Sequence, residues 1–305
     1  MQKILITGYT GFIGSNITRY LSENILYGVD ILQKDSVSQH FTWEALNEVD
    51  DIDCIIHLAG KAHDTKNISA EQEYFDINTG LTQQIFDWFL KSGAKKFIYF
   101  STVKAAADVV SEILTEDIGP KPKGPYGESK LAAEKYILQN LSGDKLVYIL
   151  RPCMIHGPGN KGNLNLLYKI QQKGLPWPLG AFENKRSFCS IDNLSFVIQQ
   201  LINKNIEPGI YQVADDEALA TNELIRLIAA SQNKKAKIWN IPATLIETIA
   251  RLGGFLHLPL NSERLKKLTE SYVVSNQKIK KALGIDKMPV TVEEGMKKTF
   301  ESFQG

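Results

Sequence analysis

Tyr126 and Lys130 stand four residues apart in Tyr126-Gly127-Glu128-Ser129-Lys130. On a helix that spacing puts both side chains on one face. A lysine ammonium close to a phenol favours the phenolate and would lower the tyrosine from its usual pKa of about 10. A phenol shifted toward neutrality can act as general base for a sugar or alcohol hydroxyl. A second hydroxyl could bridge the reacting oxygen and Tyr126. Phe100-Ser101-Thr102 ends an apolar run and offers two, Ser101 and Thr102.

A second group of residues could hold a large anion. Thr7-Gly8-Tyr9-Thr10-Gly11-Phe12-Ile13-Gly14 follows the first apolar run directly and has the spacing G-x-x-G-x-x-G. Glycines at Gly8, Gly11 and Gly14 let the backbone turn tightly and approach a pyrophosphate. The charge of that group then faces a helix N-terminus opened by Phe12 and Ile13. Asp30 ends the next apolar run, where a carboxylate can accept hydrogen bonds from an adenosine ribose. It would also repel a 2′-phosphate, so the pattern favours NAD over NADP. His57-Leu58-Ala59-Gly60 ends another run, and its small residues permit close approach of a cofactor. Asp76-Ile77-Asn78-Thr79-Gly80 opens a helix. Between Gln39 and Glu44 no residue presents itself as an adenine contact. His57 reads as a strand-end structural residue, and His57 with His63 lacks the spacing of a metal site.

These residues need elements to position them. Strands are predicted over Lys3–Thr7, Leu26–Val29, Cys54–Leu58, Lys96–Ser101 and Leu146–Leu150. Each is apolar on consecutive positions, as parallel strands buried on both faces are. Helices are predicted between them over Phe12–Ser22, Ile77–Lys91 and Tyr126–Asn140. The alternation implies βαβ units and a Rossmann-type, doubly wound parallel α/β sheet. After Arg151-Pro152 the chain turns rich in Gly and Pro, with a short helix near Leu164–Lys173. From Thr221 onward it reads as mostly helical, and Thr244–Leu260 as an amphipathic helix packed on the body. A further strand near Tyr211–Val213 could return to the first sheet. The expected division is therefore interleaved: 1–155 with about 186–215 in a dinucleotide-binding domain, and about 156–185 with 216–305 in a smaller, mostly helical lobe.

Composition narrows the function further. The 305 residues carry 35 Lys+Arg and 34 Asp+Glu, a net charge of +1. That balance gives no broad reason to bind nucleic acid or an anionic membrane, and no long basic run appears. Apolar residues at 43% suffice for a sizeable core. Cys54, Cys153 and Cys189 are too scattered for a disulfide framework or a zinc site, which fits reduced thiols in the cytoplasm. No stretch is apolar enough to span a bilayer.

Taken in order, the motifs resemble the extended short-chain dehydrogenase/reductase family, in its NAD-dependent nucleotide-sugar epimerase and dehydratase group. The resemblance rests on the glycine loop, His-Leu-Ala-Gly, Asp-x-Asn-x-x-Gly, Ser-Thr, Tyr-x-x-x-Lys, and Arg151-Pro152 followed by Gly157-Pro158-Gly159. It continues through Gly174-Leu175-Pro176-Trp177-Pro178-Leu179-Gly180 and Arg186-Ser187-Phe188, and so spans essentially the whole chain. It implies Tyr126 as general base, Lys130 as the ribose-binding lysine and Thr102 as the hydroxyl partner, with Ser101 as substitute. It implies NAD contacts from Gly8, Thr10, Gly11, Phe12, Ile13, Gly14, Asp30, Leu58, Ala59, Gly60, Asn78, Lys130, Pro152 and Cys153. Asn163, Pro178, Arg186 and Arg264 would meet a nucleotide sugar, with UDP the favoured nucleotide. An Arg suits that role because it can donate two parallel hydrogen bonds to phosphate.

The family's dehydratases place Asp-Glu after the active-site threonine. Here Val103-Lys104 follows Thr102, which disfavours elimination of water. The resemblance thus favours 4-epimerisation of a UDP-hexose. Two other readings stay open: a 4-ketoreductase of UDP-4-keto-6-deoxy-N-acetylhexosamines, and a dinucleotide-binding regulator without catalysis. A homodimer is expected through helices Ile77–Lys91 and Tyr126–Asn140.

Overall fold

The computed structural model describes residues 1–62, 70–160, 162–255 and 261–304. The first half contributes strands β1 (Lys3–Thr7), β2 (Ile25–Val29), β3 (Gln39–Phe41), β4 (Cys54–His57), β5 (Lys96–Phe100) and β6 (Ile113–Leu114). The second contributes β7 (Leu146–Pro152), β8 (Met154–His156), β9 (Arg186–Ser190), β10 (Gly209–Val213), β11 (Ala218–Leu219) and β12 (Val273–Val274). Seven of them form one sheet in the order β10-β7-β5-β4-β1-β2-β3. Every pairing in it is parallel. The predicted return of the strand at Tyr211–Val213 is met, since β10 pairs with β7.

Parallel strands need helices on both faces, and the period-two alternation of side chains sorts the apolar runs between them. Ile4, Ile6, Ile98, Phe100, Tyr148 and Leu150 enter one core, with Ile17 and the Ile191–Asn203 helix. Leu5, Phe97, Tyr99, Val147 and Ile149 enter the other, with Ile85, Phe86 and Phe89 of the Leu81–Lys91 helix and Ile137. Each fully buried aliphatic side chain stabilises by roughly 1.5–3 kcal/mol, so these two layers dominate the fold. The architecture is the doubly wound α/β sheet that the strand–helix alternation predicts. Strand order reverses between β1 and β4. Such a reversal opens a ligand crevice at the carboxyl ends of the strands.

Several elements differ from expectation. β3 escapes the sequence pattern, because Gln39-His40-Phe41 is short and mostly polar. The helix expected from Ile77 begins earlier, at Glu71, and passes through a wide π turn at Phe75–Gly80 before Leu81–Lys91. The Thr244–Leu260 helix runs over Ala243–Phe255; Leu256 to Leu260 lie outside the described residues, as does His63.

The remaining chain forms smaller cores. β11-β9-β8 make a second sheet and β12 pairs with β6. Leu164, Tyr168, Phe188, Ile228, Met296 and Phe300 pack in one cluster; Trp177, Leu179, Ile225, Ile246, Ala250 and Leu265 pack in another. The Gln277–Leu283 helix contributes Ile279 and Leu283 to the core of the large sheet. No helix among the described residues is long and apolar enough to cross a membrane.

Candidate active site

The glycine loop and the end of β4 meet at the point where the sheet order reverses. Gly8 has φ +71°. A Cβ there would lie 2.6 Å from the backbone nitrogen of Ala59. A Cβ on Gly14 would lie 2.5 Å from the Gly8 carbonyl oxygen. Only glycine permits both approaches, and together they bring Leu58-Ala59 against the loop. The helix Phe12–Tyr20 starts at Gly11 with no side-chain cap and no acidic residue in its first turn. Its N–H groups therefore favour an anion. Gly8→Ala should weaken NAD binding roughly tenfold or more through left-handed strain plus the clash with Ala59. Titration followed by protein fluorescence would measure this, and an unchanged dissociation constant would argue against the loop as the cradle.

Asp30 sits at the lip of the loop. It accepts from the Thr10 backbone N–H at 3.1 Å, the Thr10 hydroxyl at 2.8 Å and the Ile31 N–H at 2.7 Å. Lys34, which no motif points to, donates to the Thr10 carbonyl and to Ser15 Oγ. Behind the loop, His57 spans β1, β4 and the following helix. Its Nδ1 lies 2.6 Å from Thr7 Oγ1 and its Nε2 3.0 Å from Thr82 Oγ1. Thr82 gives its own proton to the Asn78 carbonyl at 2.6 Å. Nε2 therefore carries the imidazole proton. Burial, with help from Lys130, pushes the His57 pKa well down. His57 is a neutral strut, as its place at a strand end suggests.

Three motifs converge beside it. A Cβ on Gly60 would lie 2.8 Å from Asn78 Oδ1 and 3.0 Å from Lys130 Nζ. Asn78 accepts from the Lys61 N–H at 2.8 Å and donates to Ser129 Oγ at 3.0 Å. The wide turn at Phe75–Gly80 is what presents Asn78 to Ser129 and Gly60.

The Pro125–Asn140 helix carries Tyr126 and Lys130, and its buried face is mostly small or polar: Gly127, Ser129, Lys130, Ala133, Glu134 and Ile137. Gly127 lets it dock, since a Cβ there would lie 2.5 Å from the Lys104 carbonyl oxygen. That approach sets Tyr126 beside Thr102, whose hydroxyl acts on the phenol. Burial raises the Tyr126 pKa, while Thr102 acts in the opposite direction. The expected lowering of Tyr126 by Lys130 is therefore not met. Lys130 donates instead to the Phe100 carbonyl at 2.8 Å, with its ammonium 5.1 Å from the centre of the Tyr99 ring. Burial drives Lys130 down to about 8, against the pull of Glu134.

Ser101, the expected substitute for Thr102, is engaged by a different partner. Its hydroxyl donates to Glu134 Oε1, the oxygen that also accepts from Arg151 Nε at 2.9 Å. Arg151 Nη2 binds the second oxygen of Glu134. All three side chains are buried. Val103 is buried, and Lys104 pairs with Asp108, so neither follows Thr102 as an acid–base pair.

The other sequence-predicted positions lie farther along the crevice. Pro152 ends β7, and the buried Cys153 donates its N–H to the Val213 carbonyl at 3.1 Å. Pro158 accepts from Asn16 Nδ2 at 3.1 Å, which folds the Gly157–Gly159 turn onto the first helix. Asn163 opens the Asn163–Gln172 helix and is exposed; Pro178 is half-buried. Arg186, at the start of β9, donates to the Glu270 carbonyl at 3.2 Å, and burial lowers its pKa. The side chain of Arg264 lies outside the described residues. Sequence reasoning missed Tyr272. Its hydroxyl donates to the Ala107 carbonyl at 2.6 Å, and its backbone N–H donates to the Lys185 carbonyl at 2.8 Å. It thus ties the strand bearing Arg186 to the turn after Thr102.

Known proteins share this fold. The chain is 29% identical to a UDP-glucose 4-epimerase of Vibrio cholerae, over 99% of this chain and 95% of the relative. It is 26% identical to the N-acetyl-α-D-glucosaminyl-diphospho-ditrans,octacis-undecaprenol 4-epimerase of Escherichia coli O157:H7, over 92% and 85%. The fold matches a UDP-N-acetylglucosamine 4-epimerase of Bacillus cereus with a TM-score of 0.80, at 21% identity and full coverage of both chains. It also matches a UDP-glucose 4-epimerase of Thermus thermophilus in complex with NAD, with a TM-score of 0.76, at 21% identity and 99% coverage of each. The profile of the NAD dependent epimerase/dehydratase family fits residues 4–214, from β1 through β10. With the glycine cradle, Asp30 and the Tyr126–Thr102 pair in one crevice of a doubly wound sheet, the chain belongs to the NAD dependent epimerase/dehydratase family.

Proposed function

We propose that this protein is an NAD-dependent 4-epimerase of a UDP-hexose. The observation that carries the reading is Tyr126 beside Thr102, on the same helix face as Lys130 and next to the Gly8–Gly14 cradle. The cradle fits a dinucleotide because a Cβ would fill the space at Gly8 or Gly14, and because Asp30 stands at its lip. When bound, NAD supplies a reversible hydride acceptor at the sugar's C4.

In this reading the protein's own groups handle binding and the proton. Gly8, Thr10, Gly11, Phe12, Ile13 and Gly14 hold the pyrophosphate, and Asp30 the adenosine ribose. Leu58, Ala59, Gly60, Asn78, Pro152 and Cys153 line the remainder of the cofactor's path. Lys130 binds the second ribose. Tyr126 takes the proton from the C4 hydroxyl and later returns it, while Thr102 donates to the phenol oxygen and so favours the phenolate. Asn163, Pro178, Arg186 and Arg264 hold the nucleotide diphosphate and sugar, in a lobe built from about 156–185 and 216–305. The names of the Vibrio cholerae and Bacillus cereus proteins support a UDP-hexose or its N-acetyl derivative. A homodimer joined through the Leu81–Lys91 and Pro125–Asn140 helices belongs to the same reading, and light scattering that found only monomer would remove it.

The test is direct. The protein is incubated with UDP-glucose, UDP-N-acetylglucosamine and a UDP-4-keto-6-deoxy sugar, with and without NADH or NADPH. Interconversion at C4 without added reductant is expected. Stoichiometric oxidation of reduced cofactor with the keto sugar would instead make the protein a ketoreductase, and binding without turnover a regulator. Asp30→Ala should lower the NAD-over-NADP preference roughly tenfold, the size of one lost charge repulsion plus its hydrogen bonds. An unchanged ratio of dissociation constants would show that Asp30 does not read the ribose.

A further inference from the structure

The Ala243–Phe255 helix covers less of itself than its sequence could bury. Ile246 and Ala250 pack into the core with Trp177, Leu179 and Leu265. Leu245, Ile249 and Leu252 remain 52%, 46% and 59% exposed. They follow the i, i+4, i+7 spacing of a single stripe. Glu247, Thr248 and Arg251 take the polar side.

The segment leading into this helix is basic and aromatic. Lys234-Lys235-Ala236-Lys237-Ile238-Trp239 alternates outward and inward from Lys235 onward: Ala236 and Ile238 pack toward the same core, while Lys235, Lys237 and Trp239 face out. Trp239 is 55% exposed. The segment is held against Trp177, whose backbone N–H donates to the Lys237 carbonyl at 2.7 Å. Lys234, Lys235 and Lys237 also share a shallow depression with Lys173 and the half-exposed Leu175, and among the described residues no acidic one lines it.

We propose that this surface, lysines and apolar stripe together, seats the protein peripherally on an anionic phospholipid bilayer. Exposed Leu and Ile on the helix that directly follows the lysine- and Trp-bearing segment, both elements packed on one inner core, match the chemistry of such an interface: apolar groups enter the acyl boundary while ammonium groups meet lipid phosphates. The net charge of +1 hides this patch, because that balance is struck over the whole chain. A second copy of this chain is a poorer occupant. A symmetric contact buries the same patch from both copies, and the depression offers four lysines and no carboxylate among its described lining residues to pair them. The stripe lies on the lobe's exterior and needs no change in the crevice that holds Tyr126.

The protein is sedimented with vesicles of phosphatidylcholine alone and of equal parts phosphatidylcholine and phosphatidylglycerol. Binding to the anionic vesicles is expected, and it should weaken as salt rises. Each lysine near an anionic surface contributes roughly fivefold, so Lys234→Glu/Lys235→Glu/Lys237→Glu should abolish binding in the measurable range. Leu245→Ser/Ile249→Ser/Leu252→Ser should weaken it roughly tenfold or more. Unaltered thermal melts and UDP-sugar turnover would show that the variants fold; the single variant Ile249→Ser serves if the triple one does not. No binding to anionic vesicles, equal binding to both vesicle types, or variants that bind like the parent would overturn the proposal. So would light scattering in which the serine variant turns a dimer into monomer while vesicle binding is absent.

Discussion

Tyr126→Phe is expected to lose roughly a thousandfold in turnover with NAD affinity within about twofold of the parent, the range that removal of a general acid–base group spans. The substitution deletes one oxygen and leaves the ring edge against Tyr74, 6.3 Å between centres, so the fold has no reason to shift. The pH dependence should be informative. Burial raises the Tyr126 pKa, so the phenol holds its proton at neutral pH and the active phenolate grows as pH rises. Turnover of the parent should therefore climb with pH on its acid side. Thr102→Ala removes a group that acts against burial, so its rising limb should move to higher pH and its turnover at neutral pH should fall roughly tenfold or more. A flat parent profile would sink the assignment of Tyr126 as base. So would a Tyr126→Phe variant that lost cofactor binding as severely as turnover.

The difference between what the chain's residues announce and what they conceal follows from distance along the chain. The buried strands are legible because both faces are covered and the apolar runs are continuous; β3 is not, because an edge strand of Gln39-His40-Phe41 needs no such run. The glycine cradle is legible because Gly8 and Gly14 must lack a Cβ for local reasons. Ser101 and Thr102 look interchangeable as neighbours. Their separation depends on Glu134, 33 residues on, which claims the Ser101 hydroxyl. The charge state of Tyr126 could not be read from i, i+4 spacing, because the Lys130 ammonium turns to the Phe100 carbonyl, an acceptor set by the end of β5. Tyr272 is hidden for the same reason: its acceptor at Ala107 lies 165 residues away. Spacing finds which groups share a face, whereas tertiary acceptors decide what each group does there.

Glu134 and Arg151 carry the largest expected loss of stability. Their side chains are 1% and 2% exposed and form a two-pronged pair, with Ser101 donating to the same carboxylate. The pair clamps the end of β5, the Tyr126 helix and the end of β7, which bear Thr102, Lys130 and Pro152 in turn. Removing one partner strands the other charge in the core, so Glu134→Gln should lower the unfolding free energy by about 3–5 kcal/mol in urea titration. Arg151→Met should cost a similar amount for the opposite reason. Glu134→Leu combined with Arg151→Met should recover most of the loss, because apolar groups of similar volume need no compensation there. Ser101→Ala leaves the pair intact and should cost only about 1 kcal/mol, the net worth of one hydrogen bond. Its turnover should stay within a few-fold of the parent, in contrast to Thr102→Ala. If Ser101→Ala lost as much turnover as Thr102→Ala, the hydroxyl next to Tyr126 would be shared between the two, and Glu134 would not be what keeps them apart.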